Sequence, residues 1–425
     1  MSQVDSTPAV TGRATEAFTH PEYLRFWLGA LVSNSGSWMQ RVTVPFVLFD
    51  LTGSAAIVGL AGFLQLIPAA IMGPLGGSLA DRFSRRSVLL VTQTAMALVA
   101  VVLWATWAAG VRSTALILFV VSVQGVFGGL NIPSWQAFVS ELVPREVLLN
   151  AVTLNSAQFN AARAVGPAVG GVVLATLGPD SAFLINAISF IAVIGALLSI
   201  RGRPPASVTA DRPKILREFG GTFGYVRARP GISVCVKAVM TIAFFGGPLF
   251  ALLVVFKDEV FFIGDTAYGF LGAALGTGAV LGAPFIAGRG RAVRRSRLTT
   301  GALITYGTAV FAFALSPTFA LALVALLVAG AAYLAIASTL NTAVQLQVDE
   351  DMRGKVLSLY VMGLTIATPI GSLIQGWLVE LIGPRPVVAT SGVAMVAITV
   401  WLRWGRQSIL RMDDELVDRD VAPPT

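Results

Sequence analysis

The chain of 425 residues has one cysteine, Cys235, and one histidine, His20. A disulfide needs two cysteines and a zinc or iron centre needs several Cys, His or carboxylate ligands, so a disulfide scaffold and a cysteine-built metal site are excluded. Charge is equally scarce. Asp, Glu, Lys and Arg make up 12% of the chain, against roughly 25% in a water-soluble domain. No set of nucleophile, base and oxyanion stabiliser can be assembled from the sequence, so no catalytic residue is assigned and an enzyme is not expected. Residues 1–21 lack the apolar core of a cleavable signal peptide, which leaves the first apolar helix to direct insertion into a membrane.

What the chain has instead is apolar length: 55% of its residues are hydrophobic, and 113–140, 266–288 and 298–348 carry no charge at all. About 20 apolar residues span a bilayer as a helix, so the last run is long enough for two crossings, turned at Ser316 and Pro317. Polar breaks divide the chain into twelve expected crossings, near 23–49, 57–77, 88–109, 114–140, 149–177 and 182–200, then 232–256, 266–287, 298–315, 319–348, 356–379 and 386–402. The runs lack the alternation of a transmembrane strand. The expected fold is therefore all-α, twelve transmembrane helices in two pseudo-symmetric bundles of six.

The formal net charge of +8 would suggest nucleic acid in a soluble protein. Here the basic residues fall between the apolar runs, so they set topology and no nucleic-acid partner is expected. With both termini inside, the inner segments hold Arg82, Arg85, Arg86, Arg289, Arg291, Arg294, Arg295 and Arg297 and the basic stretch 201–229, while the outer loops hold Arg112, Lys257 and Arg385. The plan is then an inner tail (1–22), a first bundle (23–200), an inner linker (201–231), a second bundle (232–404) and an inner tail (405–425). In the linker, Pro204 and Pro205 precede Ile215, Phe219, Phe223 and Val226, whose spacing fits an interfacial helix or a solvated tether equally. An internal repeat supports two halves. Phe83-Ser84-Arg85-Arg86-Ser87 returns as Ala292-Val293-Arg294-Arg295-Ser296, and Gly59, Gly62 and Arg145 return as Gly269, Gly272 and Arg353 at nearly the same offset. Duplicated bundles with a site between them are a transporter architecture.

Gly77-Ser78-Leu79-Ala80-Asp81-Arg82-Phe83-Ser84-Arg85-Arg86 resembles the loop signature of the major facilitator superfamily, with Ser84 in place of a second glycine. Here Asp81 can cap and pair at a helix end while Arg82, Arg85 and Arg86 anchor the loop. Gly166-Pro167-Ala168-Val169-Gly170-Gly171 resembles part of the exporters' fifth-helix signature, with Ala162 where the fuller pattern has glycine. The proline and the flanking glycines would form a pliable seam, or else a close-packing face that does not gate. Ser37-Trp38-Met39-Gln40, Leu51-Thr52-Gly53-Ser54, Leu154-Asn155-Ser156 and Phe159-Asn160 through Arg163 to Gly166-Pro167 are similar to the enterobactin-exporter-like group of siderophore and drug exporters. Gln124-Gly125 and Gly128 fit the family's fourth-helix signature, but Val121 stands where the family has an arginine tied to proton coupling.

Charged residues inside a membrane face a cavity or a partner, and only Arg41, Arg163 and Lys237 lie more than about one helical turn inside the spans. Ser156, Asn160, Arg163, Pro167 and Gly170 share a helix face, with Arg163 near mid-membrane, in a cavity or gating role or bonding helix-end carbonyls. Arg41 shares a face with Asn34, Trp38 and Pro45, lining a cavity or snorkelling outward, whereas Lys237 is expected to snorkel inward. Gln65, Gln124, Asn155, Asn341 and Gln345 are uncharged cavity candidates, each equally able to bond a neighbouring helix. No Asp or Glu lies deep in a span, leaving Asp50, Asp81 and Glu141 as groups for any proton coupling. An interior with positive and no negative charge suits an anionic or neutral cargo.

These observations lead to an expected secondary transporter in the bacterial cytoplasmic membrane, monomeric, surrounded by lipid and working without a cofactor, with proton coupling its candidate drive. The resemblance implies export of a small amphipathic cargo. An importer of the same fold, a lipid flippase and a non-transporting sensor or assembly partner are the alternatives.

Overall fold

The computed structural model describes residues 15–201, 215–288, 293–404 and 409–413. Arg289, Arg291, most of the Pro204-Pro205 stretch of the linker and the outer parts of both tails lie outside the described residues, as do the side chains of Ile215 and Phe219. The first half comprises α1 (Pro21–Thr52), α2 (Ala55–Arg82), α3 (Arg85–Ala108), α4 (Thr114–Glu141) and α5 (Leu148–Ser199). A connector helix, α6 (Ile215–Ala228), leads into α7 (Pro230–Gly246), α8 (Leu249–Phe256), α9 (Asp265–Ala287), α10 (Arg295–Leu315), α11 (Phe319–Gln347), α12 (Glu350–Ile382) and α13 (Pro384–Trp404). No strand occurs among the described residues.

Among the described residues ten helices are long and apolar enough to cross a membrane, and one of them covers Arg145–Ser199. That stretch is folded at Gly178, whose φ of 82° and ψ of 173° are open to glycine, and Pro179 follows, so α5 is two limbs, 148–177 and 179–199. With α1, which spans 32 residues but is diluted by Arg25, Arg41 and Asp50, the limbs come to twelve. α7 and α8 form one crossing interrupted at Gly246, Gly247 and Pro248. The break frees backbone carbonyls, and the amide of Gln375 satisfies two of them, donating to Phe244 at 2.7 Å and Phe245 at 3.3 Å.

Helix starts follow local chemistry. Ser54, Ser84, Ser113 and Thr318 accept the N–H groups of Ile57, Ser87, Leu116 and Leu321 at the first turns of α2, α3, α4 and α11. The capping residue before α3 is thus Ser84, the departure from the family pattern. Asp81 lies within α2 in its last turn, not in a loop, and it is exposed without a cap or ion-pair partner among the described residues. α10 begins without a side-chain cap from its own preceding residue. Asp413, far along the chain, instead accepts from the backbone N–H and hydroxyl of the buried Ser296. The connector residues are helical; Val226 is buried, Phe223 is exposed, and the Tyr225 hydroxyl donates to Asp349 at 2.9 Å.

Lipid offers helices no hydrophobic reason to associate, so close backbone approach at small residues carries the packing. Glycines hold α2 against α4 at Gly125 and Gly129, and α9 against α11 at Gly278 and Gly330. The same logic joins α1 to both limbs of α5 and α12 to the end of α7, at Gly371 and Gly247, so corresponding pairs recur in the two halves. One end of the bundle carries Arg82, Arg85, Arg86, Arg294 and Arg295; the other carries Asp258, Glu259, Asp265 and Glu380, and these are called the basic and acidic ends below.

Single cysteines at Phe83 and Val293, both exposed at the basic end, and at Phe262, exposed at the acidic end, test orientation in a Cys235→Ala background. In intact cells an impermeant thiol reagent is expected to label Phe262→Cys and to spare the other two; the reverse pattern would invert the topology.

Candidate functional site

The two halves meet along α5 with α9 and along α2 with α12. A Cβ added at Gly171 would stand 2.6 Å from the Cα of Gly269 and 2.8 Å from the Asp265 carbonyl, so backbone touches backbone. Gly276 meets Ala164 in the same way, and Gly376 meets Gly59. These contacts lie from mid-bundle towards the acidic end. There the Tyr268 hydroxyl donates to the Val42 carbonyl at 3.0 Å, and Lys257 pairs with Asp258 (2.9 Å) and Asp265 (3.0 Å) with its ammonium 4.8 Å from the Phe46 ring centre. Glu380 of α12 accepts from the Ser54 hydroxyl at 3.0 Å and the Ala56 N–H at 3.3 Å at the start of α2. Towards the basic end the partner helices present open faces: Cβ atoms at Gly77 and Gly354 would meet nothing, and Leu149, Val152, Leu281 and Phe285 are exposed. Contacts between the halves thus close the acidic end, and among the described residues no such hydrogen bond or glycine crossing joins the halves at the basic end.

Where closure begins, an aromatic centre spans both halves. Trp38 of α1, buried, packs edge-on against Phe159 of α5 (5.8 Å between ring centres) and Phe250 of α8 (5.5 Å). The Arg41 guanidinium carbon lies 4.8 Å from the Trp38 ring centre and that of Arg163 lies 5.5 Å from it. Arg163 also lies 4.9 Å from the ring of Tyr333 on α11, which neighbours Tyr306 at 6.2 Å. Neither arginine has a hydrogen bond or ion pair among the described residues, and the Nε of Arg163 is buried with no acceptor. Arg41 is exposed and Arg163 half-buried. Ser156 and Asn160 continue the Arg163 face towards the basic end, the first exposed and the second half-buried, each bonding a carbonyl of its own helix.

The remaining polar candidates divide. Gln124 belongs to a chain of amides within the first half: Gln40 donates to it at 2.6 Å, and Asn186 donates to Gln40. Asn34 donates to Gln158 at 3.2 Å, and Asn155 accepts from Trp135 at 3.4 Å, so both tie helices of the first half together. Gln65 is half-buried where its carbonyl meets Gly125. Asn341 and Gln345 are exposed near the basic end of α11 and bond each other at 2.8 Å, apart from the aromatic centre. Sequence reasoning missed Phe159, Phe250, Tyr306 and Tyr333, and passed over Gln40 as a site residue.

Around the gating candidates, Arg85 pairs with Glu141 at 2.8 Å and Arg86 donates to the Leu197 and Leu198 carbonyls, fastening α3 to its neighbours. Arg82 is exposed, like Asp81. Gly166 packs on Ser35 and Trp38 and Gly170 on Met39, both against α1, whereas Pro167 and Gly171 face α9. The seam therefore has two sides, one within the first half and one between halves.

The profile of a family described as transmembrane secretion effector matches residues 14–420. The enterobactin exporter of Escherichia coli O1:K1 is 26% identical over 389 residues, covering 90% of this chain and 91% of the relative. That of Shigella flexneri is 25% identical over the same length, with the same coverage. Among solved structures, a bacterial homologue of the lysosomal transporter Spinster, inward-facing and unoccupied, superposes with a TM-score of 0.70 at 15% identity over 95% of this chain and 99% of that one. The inward-open xylose transporter XylE of E. coli gives 0.69 at 14% identity, covering 94% and 99%. At such identities these two show the fold alone.

The closed end has a direct test. Val42 is buried under the Tyr268 hydroxyl, so Val42→Cys is expected to resist an impermeant thiol reagent applied from the acidic side. Adding Gly171→Leu, whose side chain has no room against Gly269, is expected to part α5 from α9 and make that cysteine react. Unchanged protection would show that the crossing does not hold the end shut.

Proposed function

The chain belongs to the transmembrane secretion effector family, a major facilitator branch, and on that premise we propose that it exports a small amphipathic molecule, siderophore-like or drug-like, by alternating access of its two halves. The observation that carries this reading is the aromatic centre, because Trp38 and Arg163 of the first half meet Phe250 and Tyr333 of the second at the depth where the bundle changes from open to closed. A site shared by two bodies is remade whenever those bodies rock against each other, which is how one site can face either side in turn. The basic end is the cytoplasmic one on the positive-inside rule, with both termini there. The open face then takes cargo from the cytoplasm, and the curated relatives named as exporters support the outward direction.

In this reading the halves are 23–200 and 232–404, joined by the linker 201–231, and the protein works as a monomer without a bound cofactor in a bacterial cytoplasmic membrane. A proton-driven cycle would have to use carboxylates at the ends, Asp50, Asp81, Glu141 or the acidic-end cluster with Glu380, since among the described residues none bonds Arg41 or Arg163. Val121, at the family's arginine position, is buried and apolar.

Counterflow in proteoliposomes tests transport, and Asn160→Cys in a Cys235→Ala background tests the entry path. Asn160 is half-buried between the aromatic centre and the basic end, one turn from the exposed Ser156, so a bulky thiol reagent applied from the cytoplasmic side is expected to abolish flux in that variant and leave the unmodified background unaffected. Full flux after complete labelling would remove the cargo path from this face.

A further inference from the structure

We infer that Arg41 and Arg163 form a double-guanidinium seat, with Trp38 as its ring, for a cargo that carries an anionic group on or beside an aromatic system. The inference rests on the transport reading above and names the chemistry of its cargo. Both guanidinium carbons lie near one indole, at 4.8 Å and 5.5 Å from its centre. They are therefore no more than about 10 Å apart, a separation at which like charges repel when screening is poor.

A structural arginine in a membrane finds a carbonyl or a carboxylate. Arg86 and Arg385 do so here, through the carbonyls of Leu197 and of Ala314 and Ser316. Arg41 and Arg163 have neither kind of partner among the described residues, and the acidic groups nearest in kind, Asp258 and Asp265, are engaged with Lys257. Their only described polar interactions are with aromatic faces. Cation–π contact leaves the N–H donors of the planar fork free for a carboxylate-like group. Neutral or cationic cargo would leave both forks unpaired. The rings of Trp38, Phe159, Phe250 and Tyr333 supply flat apolar surface at the same place, which selects a ring over an acyl chain.

The probe is 1-naphthoate against 1-naphthamide, the same ring without the charge, bound to purified detergent-solubilised protein. Wild-type protein is expected to prefer the acid by about tenfold or more, the worth of one charge-assisted contact. Arg41→Gln and Arg163→Gln are expected to bring that ratio towards one while amide binding persists, and Arg41→Lys and Arg163→Lys to keep part of the preference. A wild-type ratio near one overturns the seat whether or not any variant folds. Phosphatidate with unsaturated acyl chains supplies an anion without a ring; displacement of naphthoate at equal concentration would overturn the aromatic requirement, and weak displacement supports it. Counterflow separates the two readings. Selective binding without flux of either compound refutes transport of this cargo class and leaves the seat, whereas equal flux of acid and amide refutes the seat and leaves transport.

Discussion

Backbone touching backbone between the two halves is the contact on which the arrangement depends. At Gly171 with Gly269, and at Gly59 with Gly376, the helices approach so closely that no Cβ fits. Such crossings gain from van der Waals contact rather than from water release, because lipid is as apolar as the helices themselves. They also lack interlocking side chains. A smooth crossing resists separation only weakly and allows tilting about itself, while the polar links at the acidic end, from Glu380 to α2 and from Tyr268 to Val42, fix which end is shut. Within each half the helices meet at glycine crossings of the same kind, but they are further tied by amide chains such as Gln124, Gln40 and Asn186 and by arginine-to-carbonyl bonds at Arg86. Stiff halves joined at smooth seams are what a rocking carrier requires.

The spans were legible because charge is so costly in hydrocarbon that its absence marks them, and every charge-free run falls within helices or their turns. The repeated Gly59, Gly62, Gly269 and Gly272 pointed to equivalent positions, and the structure has Gly59 and Gly269 in equivalent roles on the two seams. What hydropathy does not encode is where a run folds: the break at Gly178 and the interruption before Pro248 depend on a single backbone conformation and on Gln375 from another helix. Asp81 was read as a loop residue because charge usually ends a span, but α2 continues to Arg82 past the apolar run.

For the centre, Arg41 and Arg163 stood out as rare charges in apolar surroundings. Phe159, Phe250 and Tyr333 did not, since an aromatic residue in a span carries no periodic or electrostatic signal that separates a cavity wall from lipid contact. Asn341 and Gln345, by contrast, bond each other away from that centre. An amide pair four residues apart satisfies itself along one helix face, and sequence alone gives it the same weight as a pair facing a ligand.

The arginine pair also bears on how cargo and conformation are linked. In the open form, water entering from the basic end can solvate both guanidinium groups, so the charges are tolerable there. Closing the halves over an empty site would remove that water and leave two like charges in a medium of low dielectric, where the desolvation cost reaches several kcal/mol per ion. The aromatic faces of Trp38 and Tyr333 offset only about 0.5–2 kcal/mol for each contact. An anion seated between the forks cancels the repulsion and supplies acceptors at the same moment. The loaded site can then close at lower cost than the empty one, so the charge that selects the cargo would also favour the passage from one access state to the other, with no interior carboxylate needed for that step.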